Sequence, residues 1–566
     1  MDINEEYQIR KKLSELTYQE VETKLKKVSD VSKGKYSSLI AYPLAALEHQ
    51  YKVISEKSVI MRLPAMELLI TLNPLRQAIY WFVKEMMKRN SIKYVEGISY
   101  DFTDEEFGHS VCDFVLPLHE EYRNAQILDI HRSVAKVDFN EIENNTYEIL
   151  FPSVKEEYSK EMLYYYGMDD PLSSEVEREK VVKVDSYIFS IFNTEKLIKH
   201  PQRLLEYMEK NEYMINNIDA KLYRLCRSRV AIDINKIANE IESDVVKDKS
   251  ELINVIALFY YLSRLNMQKY TFNVINPILS KKNLNFCDFS FENLIDIGKK
   301  VGIYEDTLKK YIDYFSVNSS VEKGSFAEFP FIVLDGRVIW LPSSFLLNDF
   351  QFSIVNGHYY KNINFPNHMT TIAQSIVDYI VDSSKTYLNI VSASNYLYSV
   401  QEMKFNGKDL QSDIDVALYD RINNVMLIIE CKWLENVYTY TDDFVKIERA
   451  VRTIYKTQLD KHKFYLSLDD KNYEKVFDNK ISLADKVDTM EVFYLFVDKR
   501  TQFHNREENY HVIPTFMLSY LLKKYAEGDC VDLRKIICDI KDKNTEPSYT
   551  RKKLVNAMVI NGKNFV

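Results

Sequence analysis

Along the first 320 residues, apolar positions recur at intervals of three and four, which predicts a mainly helical region. In 5–28 the residues Leu13, Leu16, Tyr18, Val21 and Leu25 fall near one face of a highly charged helix. Further helices are predicted at 37–47, 66–72 and 74–88, the last opening on Pro74, whose fixed φ and missing N–H suit a helix start. A less regular stretch carries strand patterns at 132–139 and 147–151. Helical spacing then returns at 154–165, 175–192, 206–229, 235–246 and 252–267. No fixed-period repeat is present, so a solenoid is not supported. Near 320 the period changes. Residues 331–334, Asp335-Gly336 and 337–340 form a hairpin pattern, because Asp-Gly supplies the positive φ angles of a tight type I′ turn.

From 366 the order of elements carries more information. A helix begins after Pro366 with Asn367 as its cap and Ile372, Ile376, Tyr379 and Ile380 along one side. Strands are predicted at 396–405, 412–419 and 425–433. An amphipathic helix at 442–464 follows, with Phe444, Ile447, Val451 and Ile454 as its apolar stripe. A buried strand at 491–497 and a helix at 513–525 complete the pattern. The order α-β-β-β-α-β, then α, describes a compact α/β domain of about 160 residues. The chain therefore reads as a multidomain α+β protein. Residues 1–320 form a helical accessory or sensor region, 321–365 a hairpin connector, 366–530 the α/β domain and 531–566 a tail. Arg551-Lys552-Lys553 in that tail reads as a solvated surface.

Composition narrows this picture. The 566 residues are 46% hydrophobic and 28% charged, as in ordinary globular proteins. Only 12 are glycine, and neither GxxxxGK[ST] nor a strand-linked GxGxxG occurs, which disfavours glycine-rich nucleotide folds. Residues 361–566 hold 29 basic and 29 acidic side chains, so the first 360 carry the whole net charge of −9. An acidic first part is a poor general surface for polyanions. Cys112, Cys226, Cys287, Cys431, Cys530 and Cys538 form no CxxC pair, and there is no HExxH. A reducing cytoplasm is therefore expected, without a zinc site. The N-terminus MDINEEYQIRKK carries charge where a signal peptide needs an apolar run. The most membrane-like stretch, 66–83, is interrupted by Glu67, Asn73, Pro74 and Arg76 and reads as a buried helix pair.

Candidate chemistry gathers in Ser412–Trp433, SDIDVALYDRINNVMLIIECKW. Strand alternation puts Asp413, Asp415 and Ala417 on one face and Ile414, Val416 and Leu418 on the other. In the second strand Ile428, Glu430 and Lys432 share a face, opposite Leu427, Ile429 and Cys431. Burying two carboxylates beside a lysine is costly, and a divalent metal with a bound phosphate would compensate it.

Asp415, fourteen intervening residues and Glu430-Cys431-Lys432 resemble the D…E-x-K signature of the PD-(D/E)xK (restriction-endonuclease-like) nucleases, with the Holliday-junction-resolvase, Mrr and NERD-like branches nearest. The α-β-β-β-α-β order is similar to that family's core, over roughly 366–500, and Ile414 stands where many members have proline. The resemblance implies that Asp415 and Glu430 bind Mg²⁺ or Mn²⁺, with the backbone carbonyl of Cys431 as a further ligand. Lys432 would orient or help deprotonate the attacking water. It also implies a DNA endonuclease leaving 5′-phosphates, in bacterial defence or DNA processing. The alternatives are an RNase using the same site, or an inactive nucleic-acid-binding or assembly protein keeping the fold. A salt-bridged structural hairpin is the bland reading of the same residues, since a bare E-x-K also occurs at Glu22-Thr23-Lys24.

Secondary candidates are Glu402 on the preceding strand, Asp413, and Gln374 with Asp378 one turn later in the first helix. Lys446, Arg449, Arg452 and Lys456, extended by Gln458 and Lys461, make a basic stripe suited to phosphate contact; its bland alternative is a solvated helix face. His462 reads as a surface histidine. No membrane partner is expected. A homo-oligomer or partner subunit would engage the N-terminal region.

Overall fold

The computed structural model describes residues 2–31, 40–61, 65–89, 105–129, 137–153, 175–193, 200–235, 243, 245–275, 285–321, 323–346, 348, 350–363, 368–405, 408–432, 456–483, 486–498, 503–505, 510–542, 548–551 and 558–566. The protein is a mixed α/β chain, mostly helical. Among the described residues no helix is long and apolar enough to cross a membrane. The chain divides into two compact units. One comprises 1–14, 126–172 and 369–566, and the other 15–125 and 173–368. The limit at 368 falls close to the expected boundary at 365, whereas no limit falls at 320 or 530, because long-range strand pairing joins segments that are far apart in sequence.

The unit that carries the candidate site is built on a six-stranded sheet. Its elements are α1 (His368–Ser384), β1 (Ile390–Phe405), β2 (Lys408–Asp420), β3 (Val425–Lys432), α2 (Lys456–Ser467), β4 (Glu491–Asp498), β5 (Phe503–Asn505), β6 (Tyr510–Pro514), α3 (Thr515–Lys524) and α4 (Leu533–Lys541). The strand order is β5-β6-β4-β3-β2-β1. β6, β4 and β3 run parallel, and β3, β2 and β1 antiparallel. Both faces are covered, so β3 is apolar throughout except at its end. On one face Ile376, Val377 and Ile380 of α1, with α3 and α4, pack on Val416, Leu418, Leu427, Ile429 and Cys431. On the other, Tyr465 and Leu466 of α2 pack on Ala417, Tyr419, Met426 and Ile428.

A second sheet in this unit pairs Asp138–Glu143 with Thr146–Ser153, which also pairs with Ser548–Arg551 and Lys563–Phe565. Buried Phe565 stacks on Tyr147 at 5.6 Å. Residues at the end of the chain are thus sheet and core, not a tail.

The other unit is dominated by the helix Lys249–Ile275, buried over most of Leu252–Leu265. The Asp-Gly turn forms as expected, with φ of 46° at Asp335 and 76° at Gly336. Its strands Ile332–Leu334 and Arg337–Trp340 are joined by Cys287–Ser290, so the hairpin belongs to a three-stranded sheet. The expected break at Pro74 is absent. Ala65–Lys88 is one helix with Pro74 inside and exposed, which costs the backbone bond its missing N–H would make. The single helix expected at 206–229 is instead two, Leu204–Asn217 and Ala220–Asn235, separated at Ile218 with φ of 49°. The helix expected at 154–165, the Asn367 cap and most of 442–464 lie outside the described residues.

Candidate active site

The site forms where the β2–β3 ladder stops. Pairing runs from Asp420↔Val425 to Val416↔Ile429, one step short of Asp415 and Glu430. On the other side of β2, Ser394↔Val416 and Tyr396↔Ile414 pair while the step between them is skipped, and Asn395 has φ of 52°. This irregularity shifts the phase of both strands by one residue. Val391, Ala393, Ala417 and Tyr419 line one core before it, and Tyr396, Tyr398, Leu410 and Ile414 line the same core after it. Ile414 is therefore not on the Val416–Leu418 face, as strict alternation requires. Asp415 sits at the change of phase, and its Oδ2 accepts the Cys431 N–H at 2.7 Å. The carboxylate takes the place of a ladder acceptor, so the backbone donor stays satisfied.

Three charges meet at this end. Lys432 Nζ lies 2.6 Å from Glu430 Oε1 and 3.9 Å from Asp415 Oδ2. Glu430 is buried, Asp415 is 13% exposed and Lys432 is 31% exposed at the side chain. Burial, followed by the Glu430 charge, pushes the Asp415 carboxyl up to about 7. Burial would raise Glu430 as well, but the His462 hydrogen bond and the Lys432 charge outweigh it and hold Glu430 below its ordinary value. Burial works to lower Lys432, yet Glu430 and Asp415 together raise it. The resting arrangement is thus an ionised Glu430, an ammonium at Lys432 and an Asp415 that takes or releases a proton near neutrality.

His462 is fully buried rather than on the surface. Its Nε2 lies 3.0 Å from Glu430 Oε2, and its Nδ1 lies 2.7 Å from the Tyr398 hydroxyl. Tyr398 stacks on Tyr465 of α2 at 4.1 Å, and the Tyr465 hydroxyl meets that of Tyr396 at 2.8 Å. The sequence carried a signal for this burial: His462 lies three residues after Leu459 and four before Leu466, both buried. Tyr398 had no comparable signal, because its inward direction depends on the phase shift at Asn395. One turn before His462, Gln458 Oε1 is buried without a hydrogen bond.

The donor set suits a hard divalent cation. Glu430 Oε1 is buried and faces the Lys432 ammonium at 2.6 Å, as an ion pair. A divalent ion bound there would add the second positive charge that two carboxylates and one ammonium leave room for. Among the described residues no group of three or more His, Cys, Asp or Glu side chains gathers to hold a metal. The protein's share would be Asp415, Glu430 and backbone, with water or phosphate supplying the rest, a usual arrangement for Mg²⁺. The Cys431 side chain is buried in the opposite core, so only its backbone is open to this role.

The remaining candidates divide. Asp413 pairs in register with Leu397, whose side chain is 79% exposed. The phase shift therefore turns it from the face of Asp415, although its charge still acts on Asp415 and Lys432. Gln374 donates to Asp378 at 2.8 Å, from the helix that packs on the opposite face of the sheet. Glu402 is on β1, and its side chain lies outside the described residues, as does that of Lys456 at the start of α2. Lys446, Arg449 and Arg452 lie wholly outside them. Lys461 Nζ reaches the Gln411 carbonyl at 3.5 Å.

Compared with protein-family models, with curated proteins and with solved structures, the chain matches none of them.

Proposed function

We propose that the unit containing 369–566 is a metal-dependent endonuclease of the restriction-endonuclease-like class, hydrolysing DNA phosphodiester bonds. The observation that carries this reading is the convergence of Asp415, Glu430 and Lys432 at the end of one sheet, two carboxylates sharing one ammonium. Asp415 and Glu430 would hold Mg²⁺ or Mn²⁺ through oxygen. When bound, the ion supplies Lewis acidity at the phosphoryl oxygen. Lys432, kept protonated by its two carboxylate neighbours, orients the attacking water and steadies the charge that grows on the phosphoryl group. Glu430 Oε2, tied to His462, stays out of the reaction. Lys446, Arg449, Arg452 and Lys456 are the proposed phosphate contacts that position the strand. A mainly helical companion unit suits a role in bacterial defence or DNA processing, by analogy at the level of architecture.

The test is incubation with plasmid, linear and single-stranded DNA and with RNA, in Mg²⁺, Mn²⁺ or EDTA. Cleavage of DNA that needs metal and is lost in Asp415→Ala and Lys432→Ala is the expected result. Undiminished cutting by both variants refutes the site, and cutting of RNA alone reassigns the substrate.

A further inference from the structure

We infer that His462, fixed by Tyr398, is a positioning residue that reserves one oxygen of Glu430 for the metal; this rests on the nuclease reading above. Glu430 has two carboxylate oxygens and one charge to share between them. His462 Nε2 holds Oε2 at 3.0 Å, while Oε1 is turned toward the Lys432 ammonium at 2.6 Å. A free carboxylate beside an ammonium would rotate to offer either oxygen, or both. The imidazole removes that freedom.

The histidine is itself held. An ionised carboxylate only accepts, so the nitrogen facing it must carry a hydrogen. With that hydrogen on Nε2, Nδ1 is placed to accept, and the Tyr398 hydroxyl at 2.7 Å is placed to donate to it. Burial raises the Tyr398 phenol well above its ordinary range, which keeps that hydroxyl protonated. The Tyr465 stack anchors the tyrosine ring to the same helix that carries His462. The relay thus joins β1, α2 and β3, and all three polar groups are at most 5% exposed. Hydrogen bonds that orient a metal ligand are worth 10–100-fold in metal affinity.

The test uses the full chain and Mn²⁺ alone, with affinity read by electron paramagnetic resonance without nucleic acid. His462→Leu fills the space and is expected to lose roughly 10–100-fold in Mn²⁺ affinity. His462→Gln places an amide N–H near the Nε2 position and should recover most of it. Tyr398→Phe should lose a smaller factor. Nitrogen NMR of His462 should report hydrogen on Nε2. Thermal unfolding of each variant separates misfolding from mispositioning: Leu and Gln variants of equal stability but unequal affinity support the inference. Wild-type affinity in His462→Leu, or an Nε2 without hydrogen, overturns it while metal-dependent cleavage by the wild type leaves the nuclease reading standing. A wild-type chain that neither binds Mn²⁺ nor cleaves overturns both.

Discussion

The β2–β3 hairpin has a buried carboxylate at each end, and the two ends are treated in opposite ways. At the turn end, Asp420 is fully buried and surrounded by neutral donors. Its oxygens accept from the Ile422, Asn423 and Leu533 backbone N–H groups and from the Asn389 and Asn423 side-chain amides. At the open end, Glu430 is ion-paired with Lys432 at 2.6 Å, and Asp415 has a carboxyl pushed up to about 7 by burial and by its neighbour's charge. One carboxylate is solved as structure, tying the turn to the helix that starts at Leu533. The others share a single ammonium, that of Lys432. A buried acid met by neutral donors stabilises a fold, whereas carboxyls crowded around one ammonium suit the proposed chemistry.

Variants at the two ends should therefore separate activity from stability. The largest effect belongs to the open end. Lys432→Ala should lower cleavage by on the order of 10³-fold or more, a loss of about 4 kcal/mol of transition-state stabilisation. A rate within tenfold of wild type would remove Lys432 from the chemistry. Next comes the turn end. Asp420→Ala strands several buried donors and should destabilise the protein by about 3–5 kcal/mol in urea unfolding. Little loss there would mean that the turn finds other acceptors.

A third prediction concerns pH. The Asp415 carboxyl titrates near 7 when folded, against about 3.9 in an unfolded chain. The folded state holds this proton more tightly, so without metal its contribution to stability falls as pH rises from about 4 through about 7, then levels off. In EDTA, Asp415→Asn should be more stable than wild type above about pH 8, by on the order of 2–4 kcal/mol, with the gap closing toward pH 4. A gap independent of pH would contradict the raised carboxyl. The smallest effect is Asn423→Ala, which removes one side-chain donor to Asp420. It should cost about 1 kcal/mol and leave the cleavage rate of the folded protein unchanged.

The legibility of the chain follows the same division. The hairpin's apolar alternation and its D…ExK spacing placed Asp415, Glu430 and Lys432 on one face, and the ladder geometry does bring them together. The Asp-Gly turn was equally legible, because positive φ at both positions restricts the residues that fit. Other features depend on contacts distant in sequence. The helix expected at 513–525 begins only at Thr515, since Ile513 and Pro514 end a strand whose pairing with β4 decides their conformation. The sheet role of 548–551 and 563–565 is set by residues some 400 positions earlier. The inward turn of Tyr398 and the outward turn of Asp413 both follow from one left-handed asparagine, Asn395. An asparagine tolerates that conformation without requiring it, so alternation alone gave no warning.

The most direct measurement compares Asp415→Asn with Asp420→Asn in plasmid cleavage with Mg²⁺, with rates normalised to folded protein. Both variants replace one carboxyl oxygen with an amide nitrogen in a side chain of the same shape. Loss of cleavage in Asp415→Asn alone, with the Asp420→Asn rate near wild type, is the predicted result. Undiminished cleavage by Asp415→Asn would contradict the placement of the active site at the open end of the hairpin.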